Sequence, residues 1–346
     1  MIRIGLNGFG RIGRVLKRIS LESSDARIVL INEIDKDVAN LAYLLKYDSL
    51  YGRLEQNVRA EGSVIKGDEF SVPVVSHRDI REVPWEAHGV DVIIEATGVG
   101  GNADAAHEIV ASGRVPKIVI TNAHKRVDKT IIVGVNEESY QPGNHHVVSS
   151  SICDANAVAP LLHLIDKMLG VEAVFVTTLH PWLSYQNLLD GPVSSVASPG
   201  HAWQDYSLGR ASVLNLIPKD TTAGSATCTV LPHLNGAIEA ISFRVPTHIV
   251  SASDLAIKTH KTATPEEVNS YIAEAGTQRP HVLRLERDAL VSTDYLKTRQ
   301  SCIVDARRTK IIGGSFMKMV TWYDNEWGYS NRVLDVVRLV FPDKIR

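Results

Sequence analysis

One glycine-rich turn near the N-terminus constrains this chain most. Gly8-Phe-Gly10-Arg-Ile-Gly13 directly follows the apolar run Ile2-Arg-Ile-Gly-Leu6. It opens Arg11–Leu21, where Ile12, Val15, Leu16 and Ile19 recur at helical spacing. The bare glycine spacing is weak evidence, but strand, turn and helix in this order are the context a dinucleotide-binding turn requires. Gly8 permits the tight turn, Gly10 lets backbone approach a pyrophosphate, and Gly13 lets the helix pack closely on the sheet. The helix N-terminus then meets the anion. Arg27-Ile-Val-Leu-Ile31 reads as the next strand, and Glu33 stands just beyond it, 20 residues after Gly13. An acidic side chain there accepts hydrogen bonds from the adenosine ribose hydroxyls. It also repels a 2′-phosphate, so NAD is expected rather than NADP, although Lys36 stands nearby.

The pattern around this turn repeats. Val38–Lys46 reads as a second helix, and residues 90–95, 117–121 and 130–134 read as further short apolar strands. Such alternation implies a parallel, doubly wound α/β sheet. Near residue 153 the texture changes. Residues 237–245 and 249–258 are β-rich with few helices between them, which predicts an α+β domain with a mostly antiparallel sheet. A chain of 346 residues exceeds one ordinary core, so two domains are expected. Residues 331–341 form a last amphipathic pattern, and residues 193–208, rich in Ser, Gly and Pro, read as a long loop.

Charge and composition exclude other classes. The net charge is −2 and no basic run exceeds His124-Lys-Arg126, which argues against a nucleic-acid partner. No window approaches ~18 uninterrupted apolar residues, so no membrane partner is expected. The N-terminus lacks the basic start and long apolar middle of a signal peptide. Three widely spaced cysteines, Cys153, Cys228 and Cys302, argue against a disulfide framework and for a reducing, cytoplasmic setting. No CxxC or HExxH pattern occurs, and His145-His146 has no ligand-spaced partners, so no metal site is expected.

Cys153 begins the run Cys153-Asp-Ala-Asn156, before the apolar segment Val158-Ala-Pro-Leu-Leu-His-Leu-Ile165. A helix N-terminus there stabilises a thiolate through its N–H groups and dipole. His180 ends the strand-like residues 171–179, 27 residues downstream of Cys153. The two make a nucleophile and a base. A buried structural cysteine is the ordinary alternative, since cysteine is among the most buried residue types.

Ordered motifs then run nearly end to end: Asn7-Gly-Phe-Gly-Arg-Ile-Gly-Arg14, Lys46-Tyr-Asp-Ser49, Glu95-Ala-Thr-Gly98, Gly134-Val-Asn136, Thr178-Leu-His180 and Leu189-Asp-Gly-Pro192. They continue with Asn215-Leu-Ile-Pro218, Phe243-Arg-Val-Pro-Thr247 and Trp322-Tyr-Asp-Asn-Glu-Trp-Gly-Tyr-Ser330. In these the chain resembles the glyceraldehyde-3-phosphate dehydrogenase family, including its erythrose-4-phosphate branch, to which Asn32-Glu33 is the closer match.

The resemblance implies a Rossmann NAD-binding domain over residues 1–152, completed by the C-terminal helix 331–346. It implies a catalytic domain over 153–320 and a homotetramer. Arg11 and Ile12 should touch the pyrophosphate, Arg78 and Thr97 line the adenine side, and Thr121 and Asn325 hold the nicotinamide end, with Asn325 bonding the carboxamide; Gly98 and Tyr329 should also contact the cofactor. The implied substrate is a small, phosphorylated aldehyde. It is oxidised through a hemithioacetal and a thioester on Cys153, with His180 as base. Thr221 and Arg244 should hold substrate anions. A cofactor-binding protein without catalysis would need neither Cys153 nor His180.

The phosphate contacts are where the chain departs from the family. Ser and Thr flank the family's cysteine; Ile152 and Asp154 flank this one. Leu183 replaces a threonine and Ser207 an arginine, and the loop before Arg210 is about ten residues longer than expected. A carboxylate ~5 Å from an incoming phosphate, at effective dielectric ~20, costs roughly 3 kcal/mol per unit charge. Asp154 therefore points to oxidation with water or another acceptor, or to a substrate lacking one phosphate. Its ordinary role would be to cap its own helix. Trp182, Trp203 and Tyr206 read either as pocket lining or as plain core and interface aromatics.

Overall fold

A computed structural model describes residues 1–193 and 205–344. Trp203 and most of the long loop fall outside the described residues. The chain divides into two compact units, Met1–Ile152 with Tyr329–Arg346, and Cys153–Gly328.

In the first unit, strand β1 (Ile2–Asn7) leads through the glycine turn into helix α1 (Arg11–Leu21) and then strand β2 (Ala26–Asn32). Val15, Leu16 and Ile19 are buried on α1, as the spacing demands. The sheet runs in the order Lys129–Thr130, Val147–Ser149, Lys117–Ile120, Val92–Glu95, β1, β2, Ser71–Val75, all parallel. Two short antiparallel strands, Val64–Lys66 and Arg59–Glu61, extend its edge. Strand order reverses between β1 and Val92–Glu95. The crevice beyond the carboxyl ends at such a switch point is where open α/β sheets take ligands. The helix Trp327–Val340 enters this unit from Tyr329 onward and buries Val333, Leu334 and Val337. Its Arg338 donates to Asp25, just before β2, at 2.8 Å.

The strand expected over 130–134 is shorter than its apolar pattern, ending at Thr130. Asn136 is the reason. Its side chain accepts from Ile132 N–H and donates to Thr130 O, both at 2.9 Å, turning the chain out of the ladder.

The second unit opens with the helix Cys153–Leu169. Its sheet runs Ile217–Asp220, Ile238–Val245, Val171–Pro181, Ser251–Thr259, Phe316–Tyr323, Cys302–Asp305, Leu283–Glu286, with Lys310–Ile312 also on Phe316–Tyr323. The pairings are antiparallel except Val171–Pro181 with Ile238–Val245 and Leu283–Glu286 with Cys302–Asp305. The first of these parallel pairs sets Arg244 directly beside His180. Among the described residues, no helix is long and apolar enough to cross a membrane.

Candidate active site

The glycine turn fits a dinucleotide by its space. Gly8 has φ +95°, the left-handed region that glycine tolerates. A Cβ on Gly13 would lie 2.3 Å from Gly8 O, whereas one on Gly10 would meet nothing within 4 Å. The turn is thus tight beneath and open above, where a pyrophosphate would approach. No side chain caps α1, whose N-cap is Gly10, so an anion there meets main chain. Arg11 sends its guanidinium to Asp48, across the Tyr51 ring. What it offers an anion at the turn is its backbone, as does Ile12.

Glu33 is locked against the same turn. Its carboxylate accepts from Phe9 N–H at 2.6 Å and from Ile34 N–H at 2.8 Å. The unit places Thr97, Gly98 and Arg78 at exposed positions beyond strand ends, and Thr121 half-buried at another. Thr121 donates to Glu95 O at 2.9 Å. Tyr329 is buried, its hydroxyl donating to Ser151 O at 2.9 Å and bonded to Ser150 Oγ.

A supporting network was not foreseen from sequence. Asn7, Asn32 and Glu95 are neighbours across three strand ends. Asn32 donates to Asn7 at 2.7 Å, and Asn7 in turn to Glu95. Burial pushes the Glu95 carboxyl up, against its hydrogen bonds from Thr97 and Asn7. Polar residues at the ends of otherwise apolar strands were the available signal.

In the second unit, Cys153 begins its helix, and its Sγ lies 3.7 Å from His180 Nε2. His180 Nδ1 donates to Pro181 O at 2.8 Å, so Nε2 presents a lone pair to the sulfur. Asp154 is buried against the same sulfur, with Sγ donating to Oδ1 at 3.4 Å. The Tyr323 hydroxyl donates to Asp154 Oδ1 at 2.8 Å. The Asp154 carboxylate thus lies against the thiol and the Tyr323 hydroxyl.

These neighbours oppose the expected thiolate. Burial pushes the Cys153 thiol well up, and the Asp154 charge and hydrogen bond push it further. Arg244 and the Asp154 N–H oppose this without overcoming it. Burial lowers the His180 imidazole to about 4, Arg244 lowering it too against Asp154. Both shifts run toward the uncharged pair, thiol and imidazole.

Arg244 is 7% exposed; one Nη donates to Tyr185 Oη at 3.3 Å, while its buried Nε has no partner among the described residues. Thr221 accepts from Ala223 N–H at 3.2 Å. Lys219 is a second cation that sequence reasoning missed. Burial lowers its ammonium, Arg244 adds to this, and Asp154 opposes it. Its signal was its place between Asn215-Leu-Ile-Pro218 and Thr221. Ser207 donates to the neighbouring Pro218 O at 3.4 Å. Asn325 is 5% exposed and its Oδ1 has no partner among the described residues, which suits an amide donor such as a carboxamide. Trp182 packs edge-on to His248, and Tyr206 is exposed. Cys302 is buried and raised to about 12 by burial; Cys228 is half-buried.

A Rossmann sheet with an open glycine turn, and a second unit holding a cysteine–histidine pair, define a nicotinamide-dependent dehydrogenase. The family model for the NAD binding domain of glyceraldehyde 3-phosphate dehydrogenase matches residues 2–103, and that for its C-terminal domain matches residues 152–325. The chain belongs to the glyceraldehyde-3-phosphate dehydrogenase family. It is 38% identical over 342 residues to the glyceraldehyde-3-phosphate dehydrogenase of Streptomyces coelicolor, covering 98% of both chains. It is 38% identical over 341 residues to that of Eremothecium gossypii, covering 98% of this chain and 99% of the relative. To that of Geobacillus stearothermophilus it is 37% identical over 343 residues, 98% of both.

Proposed function

We propose that this chain oxidises a small phosphorylated aldehyde like glyceraldehyde 3-phosphate, with NAD as the oxidant. The observation that carries this is the anchored His180 Nε2 lone pair 3.7 Å from Cys153 Sγ. Cys153 sulfur adds to the aldehyde carbon as its proton passes, by way of His180 Nε2, to the aldehyde oxygen, giving a hemithioacetal and leaving His180 neutral again. His180 then takes the proton of the resulting hydroxyl as the carbon is oxidised, leaving a thioester on Cys153. NAD, when bound, supplies the hydride acceptor. Gly8, Gly10, Arg11, Ile12, Gly13, Glu33, Arg78, Thr97, Gly98, Thr121, Asn325 and Tyr329 would hold it, and Thr221 and Arg244 the substrate anion. NADH formation with a panel of small phosphorylated aldehydes tests this; no turnover with any of them, with or without phosphate or arsenate, refutes it.

A second reading concerns the acyl acceptor. Asp154 sets a buried carboxylate 3.4 Å from the sulfur that carries the thioester. This favours water or another non-phosphate acceptor, and a free acid as product. A rate rising steeply with phosphate, with an acyl phosphate accumulating, refutes it.

We propose further that copies associate as a homotetramer in the cytoplasm, with residues 1–152 and the C-terminal helix binding NAD and 153–320 carrying catalysis. Exposed Phe175, Leu179 and Ile241, on the adjacent strands Val171–Pro181 and Ile238–Val245, support association. Light scattering at micromolar concentration tests it; a monomer refutes it.

A further inference from the structure

Three unlike ligand atoms converge at the start of the helix Cys153–Leu169. Cys153 Sγ, Asp154 Oδ1 and His180 Nε2 belong to groups whose ligand atoms all lie within 4.8 Å of one another. Sulfur to oxygen is 3.4 Å and sulfur to nitrogen 3.7 Å. A tetrahedral zinc ion, with Zn–S about 2.3 Å and Zn–N and Zn–O about 2.0 Å, holds such ligands about 3.3 to 3.6 Å apart. We propose that Cys153, Asp154 and His180 form a binding site for Zn2+, which holds the enzyme off by occupying both nucleophile and base.

The surroundings are those of a built site. His180 Nδ1 donates to Pro181 O at 2.8 Å, fixing the ring with Nε2 toward the ion. Tyr323 Oη donates to Asp154 Oδ1 at 2.8 Å, orienting the carboxylate. Asp154 and His180 are buried, while Cys153 is partly exposed, which leaves a side open for entry and for a fourth ligand. Arg244 faces the cluster with a positive charge. A thiolate and a carboxylate together neutralise a dication, so the complex presents no net charge to that guanidinium. Thiolate with imidazole selects zinc or cobalt over magnesium or calcium. Asp154 completes the set; Cys153 and His180 alone make a two-ligand site.

The test needs no substrate, so its failure is separable from failure of the proposed function. Untagged, metal-free protein is titrated with Co2+ and followed for the sulfur-to-cobalt charge-transfer band. The expected result is saturation at about one ion per chain, displacement by Zn2+, and loss of the band in Cys153→Ser but not in Cys228→Ser. Asp154→Asn should weaken binding by more than the ~10–100-fold that a lost outer-shell partner costs. On the wild-type chain, Zn2+ should slow iodoacetamide labelling of Cys153 at least tenfold, reversed by chelator. Absence of the band in wild type, its survival in Cys153→Ser, or unchanged affinity in Asp154→Asn overturns the proposal.

Discussion

Replacing Asp154 by asparagine removes one buried charge while keeping the side chain's shape and its contact with Tyr323. At the 3.4 Å between Oδ1 and Sγ, a unit charge opposes thiolate formation by about 5 kcal/mol at an effective dielectric of ~20. Arg244 already offsets part of this. A quarter of the interaction still amounts to about a tenfold change in reactivity. Asparagine adds an N–H donor that the carboxylate lacks, which works in the same direction. The assay is iodoacetamide labelling at fixed pH, with Cys153, Cys228 and Cys302 quantified separately by peptide mapping. Cys153 in Asp154→Asn should label at least ~10-fold faster than in wild type, with buried Cys302 unchanged. Equal or slower labelling would refute the claim that Asp154 adds to the upward push that burial gives the thiol.

Other consequences are equally direct. Gly13→Ala drives a methyl to within 2.3 Å of Gly8 O, so thermal unfolding should show a loss of about 1–3 kcal/mol and NAD affinity should fall. His180 is depressed from 6.5 to about 4, so the folded chain binds fewer protons than the unfolded one between those pH values. Stability should fall by about 3 kcal/mol as pH drops across that window, and denaturant titrations of His180→Gln should lack this slope. Arg244→Leu should raise KM for a phosphorylated aldehyde more than for its unphosphorylated analogue in steady-state assays, since the guanidinium offers charge and a buried Nε donor.

What was legible in the sequence followed from local rules. The glycine turn, α1 and β2 rest on spacing and on contacts close along the chain, and Arg11–Leu21 appears with the bounds its periodicity implied. Cys153 and His180 read locally as a thiol at a helix start and a histidine at a strand end, and motif order strengthened the pair, because proximity across 27 residues is a property of the fold. Asp154 was ambiguous because its direction depends on Tyr323, 169 residues away. Lys219 escaped notice because its relation to Arg244 depends on the pairing of Ile217–Asp220 with Ile238–Val245. Ser151, at φ 60° just before the nucleophile, shows the same limit. Its left-handed backbone is held by Ser149 Oγ, which accepts from its N–H at 2.9 Å, and by Tyr329 on its carbonyl. No serine-rich stretch announces such a turn.

The most direct test mixes the enzyme rapidly with NAD and glyceraldehyde 3-phosphate and follows NADH by absorbance, with and without phosphate. The account predicts a first-turnover burst of about one NADH per chain, lost in Cys153→Ser, with a free acid formed at a rate indifferent to phosphate. No NADH under any of these conditions, or an undiminished burst in Cys153→Ser, would contradict it.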